Sequence, residues 1–253
     1  MSHAPETLEG WYALHDVRRL DRHAWSELAP DRRKSLVQEM QNFLEEAERV
    51  ADAPEGTSGL FEILGHKGDL LFMHLRPALD DLHGLEARFQ DLQVTRYLHP
   101  SYSFLSIVEM SRHGEDGDDE EEVAFEDLPE WVQGRLKPEI PDMRHICFYP
   151  MNKRRGEQQN WFTLSQEERA QLMVDHGTTG RKYAGRVQQV ISGAMGLDDW
   201  EWGVTLFAHD PLQFKKLVYE MRFDRVSALY AEFGPFYVGT RRGPQELPQL
   251  LRA

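Results

Sequence analysis

The chain has 253 residues, and 29 Lys+Arg against 43 Asp+Glu leave a net charge of −14, a balance that excludes a general binder of nucleic-acid backbones. Hydrophobic residues at 40% and aromatics at 11% exclude global disorder and fibrous repeats, and no apolar run approaches the ~18 residues of a membrane span. The single cysteine, Cys147, excludes an intramolecular disulfide and a thiolate metal cluster, and the polar start MSHAPETLEG has no signal-peptide core, so a soluble, cytoplasmic protein is expected.

At this length two lobes are expected, and we divide them at 1–142 and 143–253. In chain order, Trp11 to Arg19 reads as a strand. Asp31 to Val50 carries Leu36, Val37, Met40, Phe43, Leu44 and Ala47 at helical spacing and predicts an amphipathic helix. Leu70 to Arg76 is a second strand, stopped by Pro77 and followed by a helix ending Glu86-Ala87-Arg88-Phe89. Ser101 to Leu105 feeds a last strand. Gly114 to Glu122 holds seven acids in nine residues without EF-hand spacing and reads as a solvated loop.

The pattern then starts again. His145 to Lys153 corresponds to Trp11 to Arg19 at an offset of 145 − 11 = 134 residues. Val204 to Asp210, Pro211 and a helix ending Glu220-Met221-Arg222-Phe223 repeat the second strand, proline and helix, and Pro235 to Gly239 repeats the last strand. Ser165 with Glu168 forms a capping box that opens a helix to about Asp175. Tyr183 to Gly196, rich in small residues and carrying Gln189, reads as a helix against the sheet. Each lobe thus predicts strand, helix, strand, helix, strand, a ferredoxin-like α+β unit.

Eleven histidines supply no His-Glu-x-x-His helix and no Cys/His spacing, and glycine-rich phosphate loops and GxSxG are absent. His176 lies in MVDHGTTGR, beside Gly177 and Gly180. One reading makes Gly177 a helix C-cap. Another lets a flat macrocycle approach the backbone beside an axial imidazole, the usual protein handle on haem iron. In Phe148 to Arg155 (FYPMNKRR), Pro150 belongs at a strand end or edge, which puts Tyr149 and Met151 at the rim of the sheet. Lys153, Arg154 and Arg155 either guard that edge or, with Arg135, Arg222 and Arg225, form an anion cradle suited to a polycarboxylate.

Together, YPMNKRR, DHGTTGRKYAGRVQQVISGAMGLDDWEWGVTLFAHD and RFDRVSALYAEFGPFYVG closely resemble the coproheme decarboxylase branch of the chlorite dismutase-like family, over about Trp11 to Arg241. The resemblance implies duplicated ferredoxin-like units in a dimeric α/β-barrel, usually assembled as a homopentamer. It implies that His176 is the axial iron ligand, Tyr149 the radical tyrosine and Lys153 a second catalytic group. Tyr149, Pro150, Met151, Asn152 and Lys153, with Arg135, Gln189, Arg222 and Ser227, would line the porphyrin site. The implied reaction uses hydrogen peroxide to convert two propionates of iron coproporphyrin III (coproheme) to vinyls, giving haem b and carbon dioxide, with transient contact to a coproporphyrin ferrochelatase. True chlorite dismutases place an arginine where this chain has Gln189, so chlorite breakdown is expected to be poor. A haem carrier or sensor would not need Tyr149, and a general haem peroxidase would use a distal histidine or arginine.

Overall fold

The computed structural model describes residues 6–111 and 125–252, so the acidic stretch 114–122 lies outside the described residues. The first part of the chain gives β1 (Thr7–Leu20), α1 (Arg22–Glu27), α2 (Pro30–Glu48), β2 (Thr57–Ile63), β3 (Leu70–Arg76), α3 (Leu79–Asp91), β4 (Leu98–Ser111) and α4 (Glu130–Leu136). The second gives β5 (His145–Lys153), α5 (Gln166–Arg181), β6 (Gln188–Gly193), β7 (Trp202–Ala208), α6 (Leu212–Met221), α7 (Arg225–Tyr230), β8 (Ala231–Phe233), β9 (Tyr237–Arg242) and α8 (Leu247–Leu250).

The first half therefore contains one strand more than the sequence pattern predicts, β2, and the second contains two, β6 and the short β8. Apart from β8, the order becomes strand, helix, two strands, helix, strand, which is the full ferredoxin-like sequence. β6 replaces the helix expected over Tyr183 to Gly196. The chain groups into two compact units, residues 11–105 with 237–253 and residues 106–236 with 1–10. These boundaries differ from a division at residue 142.

In the unit of residues 11–105 with 237–253, β3 lies between β1 and β2 in antiparallel pairing, and β2 pairs on its other side with β9. α2 lays Leu36, Val37, Met40, Phe43, Leu44 and Ala47 onto this sheet, where they join Leu60, Phe72, Leu85 and Phe89 in one apolar core. Pro30 starts α2 at a position whose N–H needs no partner. A buried ionic group sits beside that core: the Arg76 guanidinium grips both Asp52 oxygens at 2.8 and 2.9 Å and reaches Ser58, which bonds to His74.

In the unit of residues 106–236 with 1–10, β7 pairs antiparallel with β5 and β6, and β6 continues onto the end of β4. β5 is not an edge at its end, because β8 pairs with Met151 to Lys153. Pro150 fits there because its carbonyl accepts the Gly234 N–H at 2.8 Å. The same residue's missing N–H points to that side too, just before the β8 ladder begins, so the β7 ladder is not interrupted. α5 starts at the expected capping box, with Glu168 N–H donating to Ser165 and the Glu168 carboxylate accepting Ser165 N–H. It does not end at Gly177; it continues to Arg181, with Gly180 packed against Met221 of α6. Among the described residues no helix is long and apolar enough to cross a membrane.

Candidate functional site

Alternation along β5 turns Tyr149, Met151 and Lys153 to one face. Tyr149 is buried, its ring stacked on Phe236 at 4.4 Å and tilted against Phe233 at 5.8 Å. Burial holds its hydroxyl above the ordinary phenol range, with the Arg222 charge opposing, so it stays protonated at neutral pH. The exposed Arg222, just past α6, lays its guanidinium 3.6 Å from the Phe233 ring centroid.

Four residues along from Tyr149, the Lys153 ammonium sits 4.5 Å from the centroid of Trp161, in the short turn after β5. Burial lowers its pKa to about 8, and the nearby Asp224 carboxylate opposes that fall. The next two cations are committed elsewhere, Arg155 to Glu201 at 2.7 Å and Arg154 to Glu232 at 3.5 Å. The run of three cations is therefore not one open cradle.

His176 projects from α5, and its Nδ1 lies 3.0 Å from Asp224 Oδ2. Asp224 caps α7: its carboxylate accepts the Ser227 N–H at 2.9 Å and the Ser227 hydroxyl at 3.3 Å. Burial raises the Asp224 pKa, but the bonds from His176 and Ser227 outweigh it and hold it below the usual range. An ionised carboxylate can only accept, so Nδ1 donates to it, and Nε2 is the ring nitrogen that this bond leaves available. Among the described residues no three His, Cys, Asp or Glu converge on one point. With a single histidine to offer, this group would suit an iron whose remaining ligands come from a macrocycle.

The structure thus gathers Tyr149, Lys153, His176, Arg222 and Ser227 around Asp224 and the Phe233–Phe236 pair. Asn152 faces the other way, its side-chain oxygen accepting the Glu201 N–H at 2.8 Å. Gln189 is an exposed residue of β6, opposite Leu206 of β7, and not a helical one. Arg135 is exposed in the last turn of α4, and no interaction among the described residues links it to His176. Sequence reasoning missed Asp224, Trp161, Glu201 and the two phenylalanines. Asp224 carries a local signal, the Asp-x-x-Ser start of a helix, which reports a cap, and Trp161 lies in the stretch Arg154 to Thr163, whose lack of periodic pattern marks the kind of loop that covers sites.

Residues 33–242 match the model of the chlorite dismutase family. A relative from Thermus thermophilus, named coproheme decarboxylase, is 51% identical over 240 residues, 94% of this chain and 93% of its own. A solved structure of a heme-binding protein from the same species superposes with a TM-score of 0.92 at 48% identity, covering 100% of this chain and 99% of that one. A chlorite dismutase from Candidatus Nitrospira defluvii, solved with imidazole, superposes at 0.74 with 19% identity over 97% and 96% of the two chains, a likeness of fold.

Proposed function

The chain belongs to the chlorite dismutase family, and on that premise we propose that it is a coproheme decarboxylase, using hydrogen peroxide to convert two propionates of coproheme to vinyls in the last step of a haem biosynthesis. Coproheme is the substrate and haem b the product, and the iron porphyrin supplies the redox chemistry while the protein orients it. Each propionate, with one peroxide and one proton, gives a vinyl group, one carbon dioxide and two waters.

The residues divide that work. His176 binds the iron through Nε2, with Asp224 fixing the tautomer and strengthening the imidazole as a donor. Tyr149, kept protonated by burial, gives up its phenolic hydrogen once peroxide has oxidised the bound substrate, and the resulting radical takes a hydrogen from the propionate β-carbon. Lys153 binds the reacting carboxylate and Arg222 a neighbouring one, with Ser227, Pro150 and Met151 along the wall. Asn152 shapes the end of β5, and Arg135 and Gln189 extend the substrate contacts from α4 and β6. The neutral amide at 189 makes chlorite a poor substrate. A cytoplasmic homopentamer that receives coproheme by transient contact with its ferrochelatase completes the reading.

The observation that carries it is the placement of Tyr149 and Lys153 on one face of β5, with His176 joined to the same group through Asp224. The decisive experiment incubates purified protein with iron coproporphyrin III and peroxide and reads product masses. Two successive losses of carbon dioxide with two hydrogens support the enzyme; bound but unchanged coproheme would make it a carrier.

A further inference from the structure

Lys153 is fixed at both ends. Its backbone N–H donates to Glu201 Oε2 at 3.1 Å, and its residue is paired with Ala231 of β8. Its ammonium rests on Trp161, a residue 8% exposed whose ring meets Tyr230 edge-on at 5.6 Å in a cluster with Leu172 and Val226. The short turn that carries the ring is locked in its own right. Trp161 N–H donates to the Arg154 carbonyl at 3.0 Å, the Asn160 side chain caps Phe162 N–H at 3.1 Å, and Arg155 bridges to Asn160.

A half-buried ammonium needs a partner, and the kind of partner decides what it can still do. A carboxylate in contact would neutralise the charge and occupy the N–H donors. An indole face attracts the charge through its quadrupole, and an ammonium resting on a ring keeps the N–H bonds of its far side for another acceptor. Of the charged groups nearby, Asp224 acts on the ammonium through its field while its oxygens are committed to His176 and Ser227, and Glu201 is held by Arg155 and the Lys153 N–H.

We propose that Trp161 is a positioning residue of the decarboxylation, holding the Lys153 ammonium on its ring face so that the remaining N–H donors meet a carboxylate of the substrate. This rests on the role given to Lys153 above.

The test is a double-mutant cycle on the full-length protein, read first as the Kd of iron coproporphyrin III without peroxide, by absorption titration, and then as turnover. With Lys153 present, Trp161→Leu should weaken binding by about tenfold and Trp161→Phe by clearly less, because phenylalanine keeps a ring face. In a Lys153→Gln background the same Trp161→Leu change should cost less than twofold. Equal losses in both backgrounds would mean that Trp161 only packs, and would overturn the proposal. Site-specific polyfluorinated tryptophan at 161 keeps the shape and drains charge from the ring face; it should reproduce the loss even if the leucine variant folds poorly, and wild-type binding there overturns the proposal. Wild-type binding and turnover in Lys153→Gln alone would instead remove Lys153 from the site, and the proposal with it.

Discussion

On the proposed reading, a single oxygen at position 149 separates an enzyme from a binding protein. Tyr149→Phe keeps the stack on Phe236, so coproheme affinity should change by no more than one hydrogen bond, about 0.5–1.5 kcal/mol, while mass spectrometry after peroxide should find the four-propionate starting material. Haem b formed at the normal rate would remove Tyr149 from the chemistry. Asp224→Asn tests the other pole of the site. Asparagine caps a helix about as well as aspartate, so stability should move by less than about 0.5 kcal/mol, but the neutral amide pulls less on the His176 proton. The iron–histidine stretching frequency of the ferrous coproheme complex should drop, and an unchanged band would deny Asp224 its influence on the metal. Tyr149, Lys153 and His176 were singled out through the family resemblance of the motifs around them, since local pattern alone left His176 open to a helix end at Gly177 and Lys153 to an edge-guarding charge. Asp224 was not, because its partner lies 48 residues away, a relation that only the fold creates. Asn152 shows the reverse: adjacent to the key lysine in sequence, it points to Glu201.

Among elements, strands and helices differed in how openly they declared themselves. β3 and β5 were read to their last residue because proline or charge stops each of them. β2 escaped notice because four consecutive buried residues, Ser58 to Phe61, hide its alternation. β6 was taken for a helix because exposed Gln188 and Gln189 break its alternation and small residues flank it. Glycines within elements obey different constraints. Gly10 of β1 lets the Leu136 carbonyl at the end of α4 approach so closely that an added Cβ would lie 1.9 Å from its oxygen. Gly10→Ala should cost roughly 1–3 kcal/mol, the usual penalty of overpacking, and the loss should appear in denaturant unfolding. Gly177, inside α5, would meet only the flexible tip of Arg181 at 3.4 Å. Gly177→Ala should therefore stabilise the protein by up to about 1 kcal/mol and raise Tm by roughly 2–4 °C. A lowered Tm would show that space at 177 is needed by the fold itself.

Across the whole molecule, the 134-residue repeat made the duplicated α+β class legible, whereas the two compact units, each assembled from distant stretches of chain, were not, since no local pattern encodes which strand returns to which sheet. The molecule also carries a built-in acid sensitivity. Burial, with the charge on His74 adding to it, pushes His15 down to about 3, and burial with the Arg76 charge does the same to His74. Well above pH 6.5, the ordinary histidine value, both histidines are neutral folded or unfolded and contribute no pH dependence. Below it the unfolded chain binds protons that the folded one refuses, so stability should fall by up to about 1.4 kcal/mol per histidine per pH unit until near pH 3. Urea midpoints at pH 7, 6 and 5 should decrease in step, and a flat series would contradict this. The pairing of β2 with β9, sealed by Arg242 on Glu62 across 180 residues, has a consequence in time. A ribosome releases β2 long before β9 exists, so one flank of β2 stays without its final neighbour while all the intervening chain is made, the period in which an open strand recruits the wrong partner. Removing residues 237–253 would make that interval permanent, and the shortened chain should collect in inclusion bodies where the full chain stays in solution.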